Sequence, residues 1–286
     1  MINWQVLLVL SLGYVIVLFA IAYWGDTADS RRFSRFGRSV IYSLTLAVYC
    51  TSWTFYGAVG TAAENGWGYL PIYVGPMLVI LFGWPLINRI VTISKRQNLT
   101  SIADFIAARY GKAQSLAALV TVIATIGSVP YIALQLKAIV SGFNIVSDYS
   151  VAGGTGYDTA LVVAAALAVF AILFGTRKID VTEHHEGMML AIAFESIIKL
   201  LAFVAVGLFA ILLLGTVGDG VSMSSPRDTV FRPDHVPDAF VTQLILASAA
   251  IFCLPRQFHV AIVEAHKDAN IQMARWAFPL YLLVFT

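Results

Sequence analysis

The chain reads as an all-α integral membrane protein, and three observations carry that reading. Of its 286 residues, 59% are hydrophobic. Only 12% are charged, about half the roughly 25% usual in soluble domains. Apolar runs of about 20 residues, the length that spans a bilayer as a helix, recur along the whole chain. Too little polar side chain remains to coat a water-facing globule, which excludes small soluble enzymes and DNA-binding modules. A net charge of +2 does not point to a polyanionic partner.

The apolar runs fall at 3–24, 40–62, 69–88, 114–143, 159–176, 187–216 and 239–256, and an eighth starts near Gln272 and is still open at Thr286. The first is too long for a signal-peptide core and lacks a small-residue cleavage site, so it reads as a retained helix. The chain is therefore expected to hold seven complete spans and a partial eighth. Pro130, in the middle of the fourth run, is the expected kink.

Charge placement sets the orientation, because Lys and Arg collect on the cytoplasmic side. The first loop holds Arg31, Arg32, Arg35 and Arg38, and the third Arg89, Lys95, Arg96, Arg109 and Lys112. The fifth holds Arg177 and Lys178, and the seventh Arg256, Lys267 and Arg275, making 14 of the 18 basic residues. The alternate loops keep only Arg227 and Arg232. The N-terminus is thus expected outside, and adding or removing one span would scramble the pattern.

Within the third loop, Thr100 or Ser101 followed by Asp104, then Ile102, Phe105 and Ile106, predicts a capped amphipathic helix ending at Gly111 and lying along the inner membrane surface. The outer loop at 217–238, rich in Gly, Ser and Pro, reads as irregular. No repeat of short period and no linker divides the chain, so residues 1–286 form one membrane domain.

The second run is polar where a lipid-facing helix is not. Thr51, Ser52 and Thr54, with Gly57 and Gly60 to loosen the backbone, suit a discontinuous helix whose freed carbonyls hold an ion at mid-membrane; close helix packing through small residues is the alternative. The fourth run carries Tyr131, Gln135 and Lys137, an intramembrane lysine that must pair, face a cavity or snorkel. Glu195 and Lys199 stand at i and i+4, the spacing of a structural ion pair. In the fifth loop, Thr182, Glu183, His184, His185 and Glu186 do not have the HExxH spacing of a zinc hydrolase and read as a polar helix start. The stretch Arg256, Gln257, His259, Glu264, His266, Lys267, Asp268 reads as a cytoplasmic gate or a solvated loop. Cys50 and Cys253 lie in separate apolar runs and read as buried thiols. No P-loop and no GxSxG occurs, so ATPase or hydrolase chemistry has no support, and no catalytic residues are assigned.

On Thr51, Ser52, Trp53, Gly57 and Gly60, on Ile102 to Phe105 with Arg109, Tyr110 and Gly111, and on Pro130 to Lys137, the whole chain resembles the sodium/solute symporter family. Phe194 to Leu200 and Leu254 to Val260 further resemble the transporter-like membrane half of CbrA-type sensor histidine kinases. The resemblance implies the N-terminal part of an inverted-repeat fold of two five-helix halves with broken helices. The second to sixth spans would make the first half and the seventh would open the second. It implies sodium held by the carbonyls of Ala47 and Cys50, and an amino acid, histidine foremost, near Thr51, Ser52, Trp53 and Gln135. Where proline-permease-like members carry an Asp, two positions before Thr51, this chain has Tyr49. The implied setting is a bacterial inner membrane with the N-terminus in the periplasm, and the implied partners are a downstream kinase and response regulator. The two-half fold that the resemblance implies makes the chain part of a longer protein; a plain sodium-coupled symporter and a non-transporting membrane anchor are the rival readings.

Overall fold

The computed structural model describes residues 3–27, 33–147, 186–217, 236–265 and 271–286, with isolated residues 161, 164, 165, 168 and 231. Among the described residues there are helices and turns and no strand. In order these are α1 (Trp4–Thr27); α2 (Arg35–Thr45), running into a 3-10 turn (Leu46–Tyr49); α3 (Ser52–Asn65); a 3-10 turn (Gly66–Tyr69); α4 (Leu70–Phe82); and α5 (Trp84–Gln97). Then follow α6 (Ile102–Arg109); α7 (Gln114–Ser147); α8 (Glu186–Val217); α9 (Phe240–Cys253); α10 (Pro255–Phe258), continued by a π-helix (His259–Val263); and α11 (Ile271–Phe285).

Among the described residues, four stretches are long and apolar enough to cross a membrane: Gln5–Thr27, Tyr56–Phe82, Gln114–Val146 and Glu186–Leu213. A fifth is Phe240–Cys253 with Pro255–Val263, bent by 55°, if that pair is one span. The chain is thus a multi-pass, all-helical membrane protein. Leu208, Phe209 and Leu212 of α8 are each more than half exposed, a surface that lipid tolerates and water does not.

The seven expected spans are not matched one for one. The run at 40–62 is interrupted after Tyr49, so neither α2, with 11 residues, nor α3, with 14, reaches membrane-crossing length alone. The run at 69–88 is divided at Gly83, before Trp84 and Pro85. The run at 159–176, the loop residues Arg31, Arg32, Arg177, Lys178, Thr182 to His185, Arg227 and Arg232, and His266 to Asp268 lie wholly or mostly outside the described residues. Pro130 sits inside one continuous helix of 34 residues.

Ser101 does start a helix, its hydroxyl accepting from the Asp104 N–H at 3.0 Å while Thr100 Oγ1 donates to Asp104 Oδ2 at 2.7 Å. Gly111, at φ +67°, follows its end. Phe105 meets Phe258 of α10 at a ring separation of 5.8 Å, so the apolar face of α6 turns at least partly toward protein.

The core lies where α2, α4, α10 and α11 converge, around Leu46, Tyr73, Ile80, Ile262, Phe278 and Leu282, none more than 1% exposed. Two glycines set close helix approaches. A Cβ on Gly75 of α4 would stand 2.9 Å from the Leu244 carbonyl oxygen of α9. A Cβ on Gly187 would overlap the Ala22 carbonyl of α1, where Asp26 Oδ1 accepts from the Gly187 N–H at 2.8 Å and so caps α8.

Candidate functional site

The interruption between α2 and α3 is made by Cys50 and Thr51, both extended rather than helical: φ −78°, ψ 114° and φ −117°, ψ −177°. Gly57 and Gly60, expected to loosen the backbone, instead lie inside α3. The break forms upstream because Thr51 caps the new helix: Thr54 Oγ1 accepts from the Thr51 N–H at 3.0 Å and the Thr54 N–H reaches the Thr51 carbonyl at 2.9 Å. The Thr54 hydroxyl is buried and committed to that cap, and its carbonyl accepts from Tyr73 Oη at 3.2 Å.

A helix that stops inside a membrane leaves carbonyls that only protein or a bound cation can satisfy. Here the Cys50 N–H reaches the Ala47 carbonyl at 2.9 Å, Gln257 Nε2 the Leu46 carbonyl at 3.3 Å, and Lys199 Nζ the Cys50 carbonyl at 3.2 Å. Lys199 also stands 2.7 Å from Glu195 Oε1, one turn back on α8. Ala47 and Cys50, the residues expected to ligate an ion, are buried beneath these contacts.

On the α3 side, Ser52 Oγ donates to Gln135 Oε1 of α7 at 2.8 Å. Gln135 Nε2 is buried and has no hydrogen-bond partner among the described residues. One turn earlier on α7, Tyr131 Oη accepts from Arg256 Nη2 at 2.8 Å, and the guanidinium lies 5.2 Å from that ring's centroid. Of the expected substrate residues, Ser52 and Gln135 are thus brought together and Thr51 lies beside them. Trp53 occupies the first turn of α3, and its side chain lies outside the described residues. Tyr49 turns away, donating its hydroxyl to the Ile72 carbonyl at 2.8 Å.

Arg256 is not among the expected substrate residues; from sequence it reads as part of a cytoplasmic gate or a solvated loop. It follows a second interruption, at Leu254 (φ −73°, ψ 120°), between α9 and α10. The described part of the stretch, up to Glu264, is no solvated loop: Gln257, Phe258 and Glu264 are buried, and His259 Nε2 lies 3.1 Å from Glu264 Oε1. The signal available in sequence was Pro255 itself, which cannot continue α9's hydrogen-bond ladder and fits the first turn of a new helix.

Two interrupted helices therefore meet, the freed Leu46 carbonyl of one holding the amide of Gln257 from the other. Near the Ser52–Gln135 pair lie the positive dipole end of α3, the Gln135 amide nitrogen, without a partner among the described residues, and the Arg256 guanidinium. That donor set suits a carboxylate. A separate cavity of about 50 Å³ is lined by Arg38, Tyr42, Glu186 and Glu264. Among the described residues no group of three His, Cys, Asp or Glu side chains gathers to hold a metal ion.

The chain is 31% identical over 126 residues to an uncharacterized symporter of Bacillus subtilis strain 168, YodF. The match covers 43% of this chain and 23% of that relative. No family profile and no solved structure matches the chain.

Proposed function

We propose that the chain is the solute-binding part of a transporter-like membrane protein that takes a small amino acid, L-histidine foremost, at the α2–α3 break, and that in the whole protein its occupancy is relayed to a cytoplasmic histidine kinase and response regulator. The observation that carries the solute site is the Ser52–Gln135 bridge at the break, with the Gln135 Nε2 donor buried and, among the described residues, unspent. A buried amide N–H without a partner is costly, and a carboxylate oxygen would satisfy it while meeting the α3 N-terminus. The kinase relay rests on the resemblance carried by Phe194 to Leu200 and Leu254 to Val260. Those two stretches supply Lys199 and Gln257, the side chains that hold the carbonyls of the broken α2.

In this reading the run at 40–62, broken at Cys50 and Thr51, and the run at 69–88 are separate spans, parted at the 3-10 turn Gly66–Tyr69 that lies inside the stretch Tyr56–Phe82. With the run at 159–176 and the bent α9–α10 pair this restores seven complete spans, and α11 begins the eighth. The two interrupted helices then open the two inverted halves, with the N-terminus in the periplasm of a bacterial inner membrane. The second reading is a plain symporter for a small organic solute, favoured by the name of the matched relative.

Equilibrium binding of tritiated L-histidine to the purified chain in lipid nanodiscs tests the solute site. Saturable binding that falls at least about tenfold in Ser52→Ala, the loss of roughly one good hydrogen bond, is expected. Binding indifferent to Ser52→Ala and Thr51→Val would remove the break from the site. If a kinase follows, adding L-histidine to the whole protein changes autophosphorylation; uptake without any such change favours the plain symporter.

A further inference from the structure

We infer that the Lys199 ammonium is a built-in cation, seated on the carbonyl end of the broken α2 in place of a metal ion, so that the solute site works without sodium. The inference rests on the α2–α3 break being the transporter site, and it concerns the residues expected to hold sodium, Ala47 and Cys50.

The geometry gives the reason. The α2 half-helix ends inside the protein, and its last turn concentrates the negative end of the helix dipole on carbonyls that a cation stabilises. Among the donors the structure places on those carbonyls, the Cys50 N–H and Gln257 Nε2 are neutral, and Lys199 Nζ, at 3.2 Å from the Cys50 oxygen, carries the charge. Glu195, at 2.7 Å, holds the ammonium from the same face of α8. That pairing leaves the lysine one hydrogen bond to its own helix partner and one to the interrupted helix. The i, i+4 pair is therefore more than a device for carrying two charges through the bilayer, because its positive member reaches across to the break.

A sodium ion bound through the Cys50 carbonyl would sit within a few ångströms of that ammonium. At an effective dielectric constant of about 20, the repulsion between two unit charges roughly 4 Å apart lowers affinity by about a thousandfold. The carbonyl also has its cation already and gains little from a second. Neutralising Lys199 removes the repulsion and leaves the Cys50 carbonyl and the Glu195 carboxylate facing a vacated position, two oxygen ligands of the kind that hold hard cations.

The test is thermal unfolding of the purified full chain in nanodiscs, in sodium chloride against choline chloride at equal ionic strength. The unsubstituted chain and Lys199→Arg are expected to show no sodium-specific shift. Lys199→Met is expected to melt lower in choline and to be stabilised by sodium. Sodium-specific stabilisation of the unsubstituted chain overturns the inference, and so does a folded Lys199→Met variant that sodium does not stabilise. Should Lys199→Met fail to accumulate, Lys199→Gln, whose neutral amide still donates, is judged by the same two outcomes. L-Histidine binding keeps the two proposals apart. Binding that needs sodium yet falls in Ser52→Ala refutes the built-in cation alone, whereas absent binding with the sodium results as expected refutes the solute site alone.

Discussion

Replacing Gln135 by Met separates a side chain kept for the fold from one kept for a ligand. In the structure Gln135 accepts one hydrogen bond from Ser52 Oγ at 2.8 Å and leaves Nε2 buried and, among the described residues, unpartnered. The bond contributes about 1 kcal/mol, and the orphaned donor costs roughly 1–3 kcal/mol. Methionine has similar length and no polar hydrogen to bury, and Ser52 is half-buried and can turn to water. The unliganded Gln135→Met protein should therefore be as stable as its parent or more stable by up to about 2 kcal/mol, a rise in melting temperature of at most roughly 6 °C for a chain of this size. Solute binding should fall at least about tenfold, because the amide that would meet the ligand is gone. Thermal unfolding with and without L-histidine, alongside radioligand binding, reads both quantities. A variant that loses more than about 2 kcal/mol of stability while binding L-histidine unchanged would refute the reasoning and make Gln135 a structural bridge between α3 and α7.

The packing gives further expectations. Tyr42→Phe removes a buried hydroxyl that donates to the Ala261 carbonyl at 2.6 Å, tying α2 to the π-helix, and should cost about 1–2 kcal/mol in thermal unfolding. Gly187→Ala drives a methyl group into the Ala22 carbonyl and should cost about 1–3 kcal/mol, read as folded yield, while Gly207→Ala, with open space around it, should fold normally. Thr54→Val deletes the acceptor for the Thr51 N–H and should destabilise by about 1 kcal/mol through fraying of α3, seen as faster amide exchange at its first turn.

What the sequence could and could not disclose follows from the range of the interactions. Membrane residence was legible because composition is a bulk property, and α6 was legible because Ser101, Asp104 and Gly111 act within one short helix. The interruption of the second run was suggested by its hydroxyls, and the resemblance pointed to the carbonyls of Ala47 and Cys50, but the residue pattern itself did not fix its position. Gly57 and Gly60 drew attention downstream, whereas the Thr51–Thr54 cap fixed the start of α3. Hydropathy sums over a window and does not register a two-residue break, so α2 with α3, and α4 with α5, each read as one run. Lys199 could be paired with Glu195 from spacing alone; its reach to the Cys50 carbonyl is a contact across 149 residues that no local pattern encodes. Arg256 reads from sequence as part of a gate or a solvated loop because a basic residue after an apolar run normally marks a membrane boundary, and here it follows a second break.

Cysteine accessibility at the break tests the central claim most directly. Ser52→Cys in a Cys253→Ser background, with Cys50 buried, is treated in membranes with a charged, membrane-impermeant thiosulfonate added from either side, beside a lipid-facing Leu208→Cys control. The account predicts that Ser52→Cys reacts, that excess L-histidine slows the reaction, and that Leu208→Cys stays unmodified. A Ser52→Cys thiol as inert as Leu208→Cys from both sides would contradict it, placing the broken helix in dry packing with no solute path.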